Sequence, residues 1–171
     1  PPSSDYIPDR NEERYTDRKA ALNADPNWLE ATAYAHPEYN DALFYLNDLG
    51  VLVLDDPVVS DEYGQLPEEG LLTSLEKQKS KLLFEAVGYG LEGSKLNSSF
   101  GGDTRRKAQQ RLVNLKGVGG AGGGISAKFS SNKGKNTTGG TCFGDSGGPI
   151  FLEPTNTIVA VTSYGISPTC S

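Results

Sequence analysis

Methionine is missing from this sequence altogether: none of its 171 residues is Met. With no initiator inside it, the chain is expected to start downstream of its natural beginning, after a removed leader or as a fragment. Histidine is almost as scarce, with His36 the single one. One histidine and two cysteines make no Cys/His cluster for a transition metal, and no acidic loop is spelled like a calcium-binding hand. Neither a metal nor another cofactor is therefore expected. No apolar run approaches the roughly 18 residues that a membrane span needs. Pro1-Pro2-Ser3-Ser4 does not resemble the charged and then apolar start of a signal peptide. A formal net charge of −6 argues against nucleic acid or an anionic membrane as partner, because both attract positive surfaces.

What is present reads as globular: 36% of residues are hydrophobic and 22% charged, enough apolar material for a core. The length allows one large domain or two small ones. Residues 1–30 are polar, with a weakly helical run over 11–22. From Ala31 onward the texture changes to short β-like runs bounded by Gly, Pro, Asn or Asp. Ala42–Leu46, Val51–Leu54, Phe84–Val87 and Ile158–Thr162 are the clearest of them. Regularly interrupted short strands favour an all-β sandwich or barrel. Glu68–Leu83 sets leucines among lysines and glutamates; it predicts a short helix and a linker between two β units. The Gly-rich patch at 117–124 spells G-x-G-x-x-G from Gly117 to Gly122. No convincing helix follows it, so the patch reads as a surface loop and not as a dinucleotide fingerprint.

Gly144-Asp145-Ser146-Gly147-Gly148-Pro149 is the most informative segment. Six specified residues at ordinary frequencies arise by chance on the order of once in 10^5 chains of this length. A serine hydroxyl attacks a carbonyl only when its proton is removed and fixed donors meet the resulting oxyanion. Flanking glycines let the backbone turn sharply, so that the amides of Gly144 and Ser146 can converge on one point. The same letters fit the G-x-S-x-G elbow of α/β-hydrolases. That elbow needs a following helix and a later histidine; Gly147-Gly148-Pro149 breaks any helix and no histidine follows Ser146.

Thr141–Pro149 resembles the nucleophile segment of the trypsin/chymotrypsin-like serine proteases, and other segments fall into that family's order. Ala35-His36-Pro37-Glu38-Tyr39 is similar to the strand before the catalytic acid. Asn47-Asp48-Leu49-Gly50-Val51-Leu52-Val53-Leu54 is similar to the run that carries that acid, which implies Asp48 in the role. Ala86-Val87-Gly88-Tyr89-Gly90 resembles the strand opening the second barrel, and Val161–Gly165 the edge strand that pairs with substrate backbone. Asp48 and Ser146 are spaced about as the acid and nucleophile of such a triad are. The resemblance covers roughly residues 30–171. It implies two antiparallel six-stranded β-barrels, the first incomplete at its N-terminus and the second at its C-terminus. The division expected is 1–78 for the first barrel with its polar leader and 79–171 for the barrel bearing the nucleophile.

Before that resemblance, the two cysteines are open to two readings, a disulfide or two buried thiols. The family implies that Cys142 pairs with Cys170 beside the specificity pocket, and hence an oxidising, secreted setting. It also implies a structural Asp145 receiving a freed N-terminal amine. Gly140 would sit on the pocket floor, where a glycine offers no countercharge to Arg or Lys. Ser163, Tyr164 and Gly165 would bind substrate backbone. Asn97-Ser98-Ser99 and Asn136-Thr137-Thr138 fit the glycosylation sequon.

The base is the gap in this account. His36 lies too close to Asp48 in sequence, and its neighbours match a strand and not the segment that bears the imidazole. The triad spacing, about 45 residues from histidine to acid, reaches back to the neighbourhood of Ser3. The expectation is a serine endopeptidase acting on peptide or protein substrates, its histidine absent from this chain and supplied by another segment. The alternative is an inactive homologue that binds peptides without cutting them.

Overall fold

The computed structural model describes residues 24, 28–95, 98–102, 104–117, 125–131, 139–165 and 170. The helical run expected over 11–22, most of the Gly-rich patch, Asn97 of one sequon and the whole of the other lie outside them. Among the described residues two compact units separate. One holds the residues up to Ala35 and those of Gly50–Val59; the other holds His36–Leu49 and the residues from Ser60 onward.

In the first unit β1 (Ala31–Ala35) pairs antiparallel with β2 (Gly50–Leu54), from Ala31 opposite Leu54 to Ala35 opposite Gly50. Val, Leu and Tyr suit a pleated ribbon, and the Asp55 amide extends the ladder to the Glu30 carbonyl at 3.0 Å. Every residue of both strands is exposed.

The second unit is built on a four-stranded antiparallel sheet in the order β10-β9-β3-β6, from β3 (Phe84–Gly88), β6 (Arg106–Gln110), β9 (Pro149–Leu152) and β10 (Ile158–Val161). Two smaller ribbons accompany it, β4 (Leu91–Lys95) with β5 (Ser98–Gly101) and β7 (Leu112–Asn114) with β8 (Lys128–Phe129). Alternation along β3 decides which face is the core. Phe84 and Ala86 are buried, while Glu85 between them faces the other way and meets Lys107 at 2.8 Å. Phe84, Ala86, Leu112, Ile150 and Val159 form the core, with Phe129 set edge-on to Phe84 at 5.2 Å between ring centroids. Burying Phe84 completely stabilises the sheet by about 2–3 kcal/mol.

The all-β class is what the structure shows, as open sheets with one short helix among the described residues. That helix, α1 (Leu71–Leu75), lies inside the segment where a helix was expected and runs on as a 3-10 turn over Glu76–Lys81. Two long side chains fasten the turn to the start of β7: Lys79 Nζ donates to the Val113 carbonyl at 2.6 Å, and the Arg111 guanidinium to that of Ser80 at 2.9 Å.

One expected strand is absent. Ala42–Leu46 is not extended: Asp41–Leu43 form a 3-10 turn that runs into further turns. The Asn40 side chain accepts from the Ala42 amide at 2.9 Å and nucleates the turn, and Asn47 ends the stretch in the left-handed region at φ 55°. Local capping therefore outweighs the strand preference of Phe44 and Tyr45.

Candidate active site

The segment carrying Ser146 is a tight turn that enters β9. The Asp145 amide donates to the Cys142 carbonyl at 3.1 Å, and the Gly148 amide to the Asp145 carbonyl at 2.9 Å. Gly144 and Gly147 hold φ values of 93° and 81°, a region in which any side chain would strain the backbone. Ser146 is exposed at the crest. Among the described residues, neither its amide nor that of Gly144 makes a backbone hydrogen bond.

Asp145 fixes this turn from beneath. One carboxylate oxygen accepts the Gly90 amide and the other the Cys142 amide, each at 2.8 Å. The approach is so close that a Cβ on Gly88 would sit 2.0 Å from the carboxylate and one on Gly90 within 2.6 Å. This explains why Gly88 and Gly90 flank Tyr89: the acid occupies the space their side chains would need. Cys142 is tied to Cys170 by a disulfide with 5.0 Å between Cα atoms, so the pairing implied by the family resemblance is present.

Asp48 is reached from this turn by one short path. The Gly147 amide donates to the Thr162 carbonyl at 2.8 Å, and the Thr162 amide returns a bond to the Gly148 carbonyl at 2.9 Å. The next residue, Ser163, donates its hydroxyl to Asp48 at 2.5 Å. Asp48 is positioned by the left-handed Asn47, whose carbonyl takes the Leu49 amide at 2.8 Å as the chain leaves for β2. The turn that carries Ser146 and Asp48 thus share residues 162 and 163 as a common support. Ser163, Tyr164 and Gly165 follow one residue after β10, which is an outer strand of its sheet.

His36 is not bonded to Asp48 among the described residues. Its amide donates to the Leu49 carbonyl at 2.9 Å, and its Nδ1 accepts from the Glu38 amide at 3.2 Å. Tyr39, in the same loop, has its phenol pKa raised above the ordinary value. Partial loss of hydration contributes most, followed by a hydrogen bond to Asp41 and the charges of Asp41 and Asp48.

A cavity of about 610 Å³ opens beside this support, with Asp48, Ser163, Tyr164, Ser131 and Gln110 on its wall. Gly140 lines a separate, smaller cavity of about 190 Å³ together with Asp145 and Cys142. A Cβ on Gly140 would fall 2.5 Å from that of Ser131, and Ser131, not Gly140, lines the larger cavity. Reading the sequence identified neither Ser131 nor Gln110. Both sit in stretches with no distinctive motif, and only the packing brings them here. Among the described residues no group of His, Cys, Asp and Glu could hold a metal ion, and no helix is long and apolar enough to cross a membrane.

A family model described as Trypsin matches residues 19–171. The match begins ahead of residue 30, where the resemblance read from motifs began, so part of the polar leader belongs to it. No curated protein matches the chain.

Proposed function

The chain belongs to the trypsin family, and from that premise we propose that it is a serine endopeptidase with Ser146 as nucleophile and Asp48 as the acid of its triad. The observation that carries this reading is the joint support of the two residues. Gly147 is bonded to Thr162, and the adjacent Ser163 is bonded to Asp48. Asp48 is exposed, and this bond ties it to the segment that also holds the turn carrying Ser146.

In the proposed reaction Ser146 Oγ attacks the scissile carbonyl and gives up its proton to a base. The oxyanion is held by the amides of Gly144 and Ser146, the leaving amine takes the proton, and water then hydrolyses the acyl ester. The base is a histidine outside this sequence, because the Nδ1 of His36 is occupied by the Glu38 amide. Ser163, Tyr164 and Gly165 bind substrate backbone by strand addition beside β10. The Cys142–Cys170 bridge supports a secreted protein working in an oxidising compartment.

A fluorophosphonate probe tests the assignment on the protein isolated from its source. It is expected to attach stoichiometrically to Ser146, to fail on Ser146→Ala, and to be unaffected by His36→Ala. An unlabelled Ser146 in the natural protein would overturn the proposal and favour a homologue that binds peptides without cutting them.

A further inference from the structure

The formal net charge of −6 is unevenly spread along the chain. Residues 20–76 carry Asp and Glu throughout and not one Lys or Arg; basic residues resume at Lys77 and outnumber the acids from there to Lys135. Packing draws some of them together from two segments distant in sequence. Lys79 Nζ lies 2.6 Å from the Val113 carbonyl, and the Arg111 guanidinium 2.9 Å from that of Ser80. Lys81 adjoins Ser80, Lys77 stands one turn of 3-10 helix before it, and Lys116 comes shortly after β7. Lys77, Lys81, Arg111 and Lys116 are exposed. Among the described residues none of these five side chains is ion-paired; the ion pairs there join Arg106 to Glu92 and Lys107 to Glu85. A carbonyl has no net charge, so Lys79 and Arg111 keep theirs. Like charges gathered in this way repel one another, and Glu76 is the one carboxylate within residues 76–81 and 111–116. A chain rich in acids therefore leaves this surface uncompensated.

The residue types restrict the anion that fits. The Arg111 fork is engaged by the Ser80 carbonyl, which leaves mainly ammonium groups, point charges on flexible stems. These respond to charge density and not to the planar shape of a single carboxylate. Neither segment holds an aromatic residue on which a nucleic-acid base could stack. The Cys142–Cys170 bridge supports an oxidising, secreted setting, in which sulfated polysaccharides are the dense linear anions. We propose that the surface formed by the 3-10 turn and β7 binds a sulfated polysaccharide, with its sulfates along Lys77, Lys79, Lys81, Arg111 and Lys116. Affinity comes from the counterions that the polymer releases as several cations meet it. None of the five residues lines either cavity described above, so this surface is separate from the candidate active site and does not depend on Ser146.

The test is a titration of the whole chain with heparin, poly-glutamate and duplex DNA, at ionic strengths on either side of about 0.15 M. Heparin is expected to bind most tightly, with log K falling linearly against log salt. The triple variant Lys77→Gln, Lys81→Gln, Lys116→Gln changes exposed side chains only. It is expected to weaken heparin binding about 10- to 100-fold and to flatten the salt slope by about 2 to 3. The double variant Arg106→Gln, Lys107→Gln removes charges that carboxylates already compensate, and its loss is expected to stay below about 3-fold. Urea unfolding checks that each variant keeps its fold, as exposed substitutions do. The comparison of the three polymers stands without any variant. No heparin binding at about 0.15 M ionic strength, or equal or tighter binding of poly-glutamate or DNA, would overturn the proposal. So would a triple variant that binds as the unmodified protein does, or a double variant that loses as much as the triple.

Discussion

Replacing Asp145 by Asn puts the support of the nucleophile turn to a direct test. The carboxylate accepts two amides, from Gly90 and Cys142, at 2.8 Å each. An asparagine of the same shape can accept only one of them, and its NH2 must face the other N–H. One bond to a charged acceptor is lost, at about 1.5–3 kcal/mol, and a half-buried amide is left facing a donor. With partial solvent access reducing both effects, the expected destabilisation is about 2–4 kcal/mol. For a chain of this size that lowers the melting temperature by roughly 5–15 °C. There is no room to escape by rotation, because Gly88 and Gly90 already lie against the acid. The assay is urea unfolding combined with amide exchange at Gly90 and Cys142, whose protection is expected to fall more than that of Phe84 in the core. A loss below about 0.5 kcal/mol, or unchanged exchange at both amides, would refute the argument that this carboxylate holds the turn.

Two further outcomes follow from the same region. The Cys142–Cys170 bridge closes a loop with a sequence separation of 28, worth about 3–4 kcal/mol in the chain-entropy account. Reduction or Cys170→Ser is expected to lower the urea midpoint accordingly, and an unchanged midpoint would show that the loop is held by other contacts. The raised phenol pKa of Tyr39 means that its protonated form favours the fold. That contribution is complete below the ordinary tyrosine pKa and is lost as pH rises through the folded value. Spectrophotometric titration of the chain against Tyr39→Phe isolates this group. Asp41→Asn is expected to bring its pKa down, and a pKa unmoved by that change would remove Asp41 as a cause.

Much of the fold is legible where a short apolar run is bounded by turn residues. Val51–Leu54 falls within β2, Phe84–Val87 within β3, and Ile158–Thr162 carries β10, each placed by β-branched and aromatic residues next to Gly or Asn. Ala42–Leu46 has the same composition but follows Asn40, and a single side-chain cap turned it into a 3-10 turn. The composition of a run does not register a competing hydrogen bond at its start.

The sequence by itself marked the local form of the turn that carries Ser146. Gly144 and Gly147 must be glycines because of their positive φ, and the acid between the nucleophile and Gly144 must reach amides nearby, so the local pattern contains its own geometry. It also determined the class, since period-two strands and turn signals are local properties. The tertiary structure alone decided that Asp48 meets Ser163, that Ser131 and not Gly140 lines the large cavity, and that Gln110 is buried with an unpaired oxygen. Arg106-Lys107-Ala108-Gln109-Gln110 is polar but for Ala108. Which of its two glutamines turns inward depends on the register against β3, and a register is a relation between segments distant in sequence.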